Sequence, residues 1–159
     1  MRSRFIALMI LCLAGANSFG QNLTIENKTC WPVNIHLNAH DCSTSCGPTT
    51  GLTANPFGIT SGNTVFFTDV TSVNDASCSG TGPGWVGGAC ASIGCPAWDW
   101  DYITVEINST WVVNMNNPFT SCFGGANATS RAGTCGLGPV TFQLSWGHTA
   151  GGYVIEVWQ

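Results

Sequence analysis

The most regular alternation of apolar and polar residues lies in the middle of the chain. Two runs rich in β-branched and aromatic residues, Trp98–Ile107 and Trp111–Met115, are separated by three turn-forming residues. Successive side chains of a strand point to opposite faces, so Ile103, Val105 and Ile107 share one face. We therefore predict a β-hairpin whose first strand buries these three residues.

The first residues of this hairpin do not fit the same register. Continuing the alternation backwards places Asp99 and Asp101 on the buried side and Trp98 and Trp100 on the exposed side. Either a β-bulge flips the register near Tyr102, or the strand begins at the edge of its sheet. The register by itself favours exposure of both tryptophans.

Shorter alternating runs predict further strands, and no stretch has the period of a helix. Five residues separate the first two runs, which is a hairpin length, and adjacent phenylalanines in the third run indicate burial on both faces. The intervening segments 41–53, 73–96 and 116–138 are rich in turn-forming residues and indicate long loops. The pattern predicts an all-β, disulfide-stapled, two-sheet β-sandwich of seven or eight strands. The runs are Leu23–Asn27, Val33–Leu37, Thr64–Val70, Val140–Trp146 and Tyr153–Trp158.

A strand, an asparagine, a cysteine and a second strand follow one another between residues 23 and 37. This order resembles the first hairpin of thaumatin-like proteins, and it is also similar to small bacterial secreted β domains. The resemblance covers about a tenth of the chain. The strand pattern leaves a jelly-roll and a thaumatin-like sandwich open as fold subtypes, and no functional residue is carried over from either group that the hairpin resembles.

Residues 1–20 have the pattern of a secretory signal peptide. Two arginines precede a ten-residue apolar run, Phe5–Ala14, which is too short to span a bilayer. Small residues before Gln21 favour cleavage there, and cleavage after Ala16 is the alternative. We therefore expect a secreted mature chain, residues 21–159, that forms a single domain without membrane insertion.

Removal of the signal peptide makes the chain more acidic. Lys28 and Arg131 then stand against eight carboxylates, and the formal net charge moves from −4 to −6 (two cations minus eight carboxylates). Because phosphate groups are bound mainly by lysine and arginine, we expect no nucleic-acid partner. Anionic membranes are disfavoured for the same reason.

The number of cysteines indicates that the mature chain is located in an oxidising environment, where disulfides form. Of nine cysteines, Cys12 leaves with the signal peptide, and the even number that remains predicts four disulfides. We favour a Cys122–Cys135 pairing because both residues flank one loop. The spacings do not match a zinc site. The eight mature cysteines are Cys30, Cys42, Cys46, Cys78, Cys90, Cys95, Cys122 and Cys135.

Seven tryptophans are the most suggestive feature for function. Alternation assigns Trp111 and Trp146 to the core, whereas Trp85, Trp98, Trp100 and Trp158 do not fit the apolar faces of their segments. Exposed aromatic rings beside polar side chains are suited to stacking on sugar rings. We predict a ligand-binding platform made of Trp85, Trp98, Trp100, Asp99 and Asp101.

Catalytic and metal-binding patterns are weak. Asp99 and Asp101, with Glu106 nearby, are weak candidates for a cation site, but a calcium-loop signature is absent, so we predict no metal and no cofactor. No nucleophile elbow accompanies the three histidines, and we predict no catalytic residue and no enzyme activity. The histidines are His36, His40 and His148.

Four Asn-x-Ser/Thr patterns are candidate N-glycosylation sites. They lie near predicted turns or strand ends, at Asn22, Asn27, Asn108 and Asn127.

Three functional hypotheses follow from the sequence. The leading one is a secreted, non-enzymatic domain that binds a glycan or another extracellular surface component through exposed tryptophans. The second is a structural, matrix or surface protein that self-assembles through exposed strand edges. The third, implied by the resemblance alone, is a thaumatin-like defence protein.

Overall fold

The strands of this chain are defined by a computed structural model. It describes residues 22–40, 52–68, 70, 73, 85–86, 99–108, 111–119, 126–136 and 138–159, and at residues 40, 52, 85, 86 and 99 it describes the backbone alone. These residues contain eleven strands: β1 (Leu23–Lys28), β2 (Val33–His40), β3 (Leu52–Ala54), β4 (Phe57–Ile59), β5 (Thr64–Phe67), β6 (Trp85–Val86), β7 (Asp99–Ile107), β8 (Trp111–Asn116), β9 (Ala128–Cys135), β10 (Gly138–Thr149) and β11 (Gly152–Trp158).

The strands form two sheets that pack face to face, which confirms the predicted all-β sandwich. Sheet A has the order β5-β1-β11-β10-β9, and sheet B has the order β6-β3-β2-β7-β8 with β4 paired to β2. The pairing of β1 with β11 is parallel, and the other pairings are antiparallel. None of the described residues belongs to a helix with the length and hydropathy needed to cross a bilayer.

The predicted N-terminal hairpin is wrong, because β1 lies in sheet A and β2 lies in sheet B. Asn27 shapes the connection between them: its Oδ1 accepts a hydrogen bond from the backbone N of Thr29 (3.0 Å), and its Nδ2 donates to the carbonyl oxygens of Trp31 (2.8 Å) and Ile59 (2.9 Å). Alternation shows which face of each strand is buried. It does not show whether a five-residue connection stays within one sheet or crosses to the other.

The core lies between the sheets and is lined by the apolar positions that alternation predicts. The predicted hairpin is formed by β7 and β8, with Ile107 opposite Trp111. The two tryptophans assigned to the core, Trp111 and Trp146, are buried as predicted. The largest fully buried side chains are Trp100, Trp146, Leu23, Ile25, Ile35, Leu37, Ile59, Ile103, Ile107 and Leu144.

A β-bulge interrupts β7 at Asp101. Asn38 of β2 pairs with Tyr102 and the next residue of β2, Ala39, pairs with Trp100, so Asp101 is the extra residue on β7. Asn117 holds this backbone, because its Nδ2 donates to the carbonyl oxygen of Trp100 (2.8 Å) and its backbone N donates to that of Asp101 (2.7 Å). The sequence left open whether a bulge near Tyr102 or a position at the sheet edge explains the start of this strand. The structure shows the bulge.

Two other segments differ from the predicted pattern. In β5, Phe66 is exposed because it lies opposite Thr24 on the outer face of sheet A, while Phe67 lies opposite Leu23 and is buried. The predicted loop 116–138 contains β9, which lacks apolar alternation. Eight residue pairs with β10 hold β9 in the sheet, so pairing outweighs its low β-propensity.

A disulfide joins Cys30 to Cys135, with their Cα atoms 6.1 Å apart. The predicted Cys122–Cys135 pairing is therefore wrong. Cys30 lies in the connection between the sheets and Cys135 ends β9, so this bond links segments 105 residues apart in the chain. Proximity in sequence favoured Cys122, but the fold brings the more distant Cys30 to Cys135. The other predicted disulfide cysteines, Cys42, Cys46, Cys78, Cys90, Cys95 and Cys122, lie outside the described residues.

Candidate functional site

The predicted exposure of Trp100 is wrong. Its side chain is 0% exposed, and its ring lies against Phe67 with centroids 5.9 Å apart. The bulge at Asp101 causes this, because the residue before the bulge points to the same side of the sheet as Ala39, which is in the core. Trp100 is a core residue and cannot stack on a ligand at the surface.

The other members of the predicted platform are not brought together as a described surface. Asp101 is buried at the bulge. Asp99 begins β7 and Trp85 begins β6, but only the backbone of these two residues is described, and Trp98 lies outside the described residues. Their roles as ligand-binding residues, and the weak candidacy of Asp99 and Asp101 as cation ligands, stay predictions.

The candidate glycosylation sites differ in accessibility. Asn27 is buried and both groups of its amide are hydrogen-bonded, so it is not an accessible acceptor in the folded chain. Its burial follows from its position at the crossing between the sheets, which the sequence pattern had placed in a hairpin turn. Asn108 and Asn127 are exposed, and Asn22 is half-buried.

Trp158 is an exposed tryptophan in the described part of the chain, with 39% of its surface accessible. It lies on the outer face of sheet A, because Tyr153, Ile155 and Val157 of the same strand are buried. The sequence pattern had already set Trp158 apart from the apolar face of its strand. That expectation is confirmed.

Polar side chains flank Trp158 across the sheet. Trp158 is opposite Lys28 of β1 on one side and opposite Gln143 of β10 on the other, and Gln143 is opposite Ser130 of β9. Neighbouring strands are about 4.8 Å apart, so the four residues form one continuous row on the sheet surface. We call this row, Lys28–Trp158–Gln143–Ser130, the Trp158 row. It combines an aromatic face with amide, hydroxyl and ammonium groups.

The charges beside the row are paired with one another. Lys28 Nζ lies 2.5 Å from Glu156 Oε1 and 2.5 Å from Glu26 Oε2. Hydrogen bonds to Glu156, and next to Glu26, raise the pKa of the Lys28 ammonium above its usual range. Because Lys28 is exposed, these surface ion pairs hold its ammonium beside Trp158 only weakly.

A cleft of about 350 Å³ opens next to the end of β11. The side-chain Oε1 of Gln159 accepts a hydrogen bond from the backbone N of Cys30 (3.0 Å), which anchors the residue that follows Trp158. The walls of this cleft include the Cys30–Cys135 disulfide, and none of its lining residues belongs to the Trp158 row. It is lined by Cys30, Cys135, Gly136, Gly138, Pro139, Val140 and Gln159.

A second aromatic surface lies at the other end of β11. Phe119 is 46% exposed, and its ring stacks on Tyr153 with centroids 6.2 Å apart and an interplanar angle of 21°. His148 packs against both rings, at 5.6 Å from Phe119 and 5.2 Å from Tyr153. Tyr153 and Trp158 are five residues apart on one extended strand, or about 17 Å, so this surface is separate from the Trp158 row.

The described residues contain no group of three or more His, Cys, Asp or Glu side chains that could hold a metal ion. Neither a protein-family model, nor a curated protein, nor a solved structure matches the chain.

Proposed function

We propose that the protein is a secreted, non-enzymatic domain that binds an extracellular glycan, with Trp158 as the residue on which a sugar ring stacks. The observation that carries this proposal is the exposed Trp158 ring, which lies between Lys28 and Gln143 in one row of sheet A. A sugar presents an apolar ring face together with hydroxyl groups. An aromatic ring beside hydrogen-bonding side chains complements both features.

The surroundings of Trp158 favour binding because they are already ordered. The ring is carried by a central strand of sheet A, and the following residue is anchored through the Gln159–Cys30 hydrogen bond. The Cys30–Cys135 disulfide restrains the same end of the sandwich. A ligand that binds to a preformed surface loses less free energy to side-chain ordering.

The charge of this surface favours a neutral glycan. Lys28 is engaged by both Glu26 and Glu156, so it offers a hydrogen-bond donor and little net positive charge. The predicted mature chain has a net charge of −6, which disfavours sulfated or other polyanionic sugars. We therefore expect uncharged hexose-containing chains to be the ligands.

A glycan array on the purified mature chain, followed by calorimetric titration of the best ligand, tests this proposal. Trp158→Ala should weaken binding by about 30-fold or more, since a central aromatic anchor is typically worth about 2 kcal/mol or more. Its thermal stability should stay close to that of the wild type, because the ring is exposed.

The matched control is Phe119→Ala, which removes an exposed aromatic ring from the other end of the strand and should leave glycan affinity unchanged. An equal loss of affinity in both variants would contradict the assignment of the site to Trp158. An array with no bound glycan would contradict the proposed function itself.

A further inference from the structure

Strand β8 is the outermost strand of sheet B in the described part of the chain. Its six residues, WVVNMN, include no charged residue, proline or glycine, and they pair with β7 in an unbroken register. Val112 on its outer face is 57% exposed. β8 has no second neighbouring strand among the described residues, and an uncharged edge with β-branched residues is able to pair through its backbone N–H and C=O groups with another strand.

The other outer strands of the described sheets are less able to pair. β6 has two residues, β4, which pairs only with β2, has three, and β5 has four, so each offers a short edge. β9 has eight residues, but Arg131 projects from its inward-facing side, opposite the buried Phe142 of β10. An inward-pointing charge on an edge strand is a device that natural sheets use to prevent pairing. β8 has no such device.

We infer that β8 is a homodimerisation edge, at which two copies of the chain pair antiparallel and join two B sheets into one. Residues directly opposite each other in an antiparallel pair lie on the same face of the sheet. The two-fold axis therefore passes through a residue, and an axis through Val113 or through Asn114 pairs the largest part of β8. In both registers Val112 lies opposite an asparagine of the partner subunit, which covers part of its exposed surface.

This edge keeps the charges of two copies apart. The predicted mature chain has a net charge of −6, so two copies repel each other wherever their carboxylates approach. β8 carries no charge, and the closest carboxylate in the register is Glu106, opposite Val112 on β7. The two Glu106 residues are then separated by at least three strand spacings, or about 14 Å, which exceeds the Debye length of about 8–10 Å.

The assembly closes at two copies. A two-fold interface uses the same edge of both subunits, so each dimer has no further β8 edge to offer. Repeated growth into a filament requires a second pairing edge, and the remaining described edges are short or carry Arg131. The interface is small, so the dimer dissociates on dilution.

Sedimentation equilibrium of the purified, disulfide-intact mature chain tests this inference. The wild type should shift from monomer to dimer as its concentration rises toward the millimolar range. Val112→Lys should raise the dissociation constant by about tenfold or more, because it places a charge at the pairing edge. The control is Phe66→Lys, a change at a residue of matching exposure (55%) on the β5 edge, which should leave the constant unchanged.

Both lysine variants should melt within a few degrees of the wild type, which confirms that each of them folds. A wild type that stays monomeric throughout overturns the inference. Oligomers that keep growing beyond two copies overturn the closed two-fold arrangement, and a loss of dimer in Phe66→Lys but not in Val112→Lys moves the interface to β5.

Discussion

Replacing Trp100 by alanine tests the bulge on which the start of β7 depends. If β7 had no bulge, regular alternation would place the Trp100 ring in solvent, where its removal would cost little stability. The bulge at Asp101 instead places it in the core, 0% exposed and against Phe67. The two registers therefore predict opposite results for one substitution.

The expected magnitude follows from the buried surface. A tryptophan side chain buries about 150–250 Å², which at about 25 cal/mol per Å² corresponds to roughly 4–6 kcal/mol. Alanine retains a small part of this, and the unfolded chain already buries some of it. The observed range for a core tryptophan replaced by alanine is about 3–5 kcal/mol. Because domains are stable by about 5–15 kcal/mol, Trp100→Ala removes a large fraction of the stability.

Urea unfolding of the wild type and of two variants measures this loss. Trp100→Ala should lower the free energy of unfolding by about 3–5 kcal/mol, whereas Trp158→Ala, which removes an exposed ring, should change it by about 0.5 kcal/mol or less. The slope against urea concentration should be the same for all three proteins. If Trp100→Ala unfolds at the same urea concentration as Trp158→Ala, the ring is not in the core and the bulge does not exist.

Two further predictions concern the disulfide and the central hairpin. Replacing both Cys30 and Cys135 by alanine should destabilise the chain by up to about 4–5 kcal/mol in urea, since the bond closes a loop of about one hundred residues. Peptide mapping that finds Cys135 linked to another cysteine would contradict the pairing. Val105→Asp should cost several kcal/mol by burying a charge, and Thr104→Asp on the outer face should cost far less. Equal losses in chemical denaturation would mean that both faces of β7 are buried.

Alternation predicts buried faces well wherever a strand is regular. Ile103, Val105 and Ile107 lie on the inner face of β7 as their spacing indicates, and Leu144 and Trp146 do so on β10. The reason is physical: a strand between a core and solvent buries one of its two faces, and most of its apolar side chains lie on that face. The buried face of each regular strand of the sandwich can therefore be predicted from its own sequence.

Which strands pair with each other cannot be predicted from the pattern within each strand. The apolar pattern of β1 would suit either sheet, and its parallel pairing with β11 joins opposite ends of the chain. The sheet that each strand joins depends on the connection after Lys28, which leads from sheet A to sheet B. Asn27 stabilises this connection through hydrogen bonds with Thr29, Trp31 and Ile59. The Cys30–Cys135 bond has the same origin, because the crossing carries Cys30 to the end of β9.

The contrast between Trp158 and Trp100 explains why the exposure of Trp158 could be predicted from the sequence and the burial of Trp100 could not. Trp158 ends a strand whose alternation is unbroken from Tyr153 onwards, so its side of the sheet follows by counting. Trp100 lies beyond an inserted residue, Asp101, and one insertion reverses every position that precedes it. The bulge itself depends on Asn117, a residue from the far end of the hairpin. A binding residue can therefore be inferred from periodicity only within the uninterrupted part of a strand, and in this chain that condition favours the Trp158 row over the predicted Trp98–Trp100 platform.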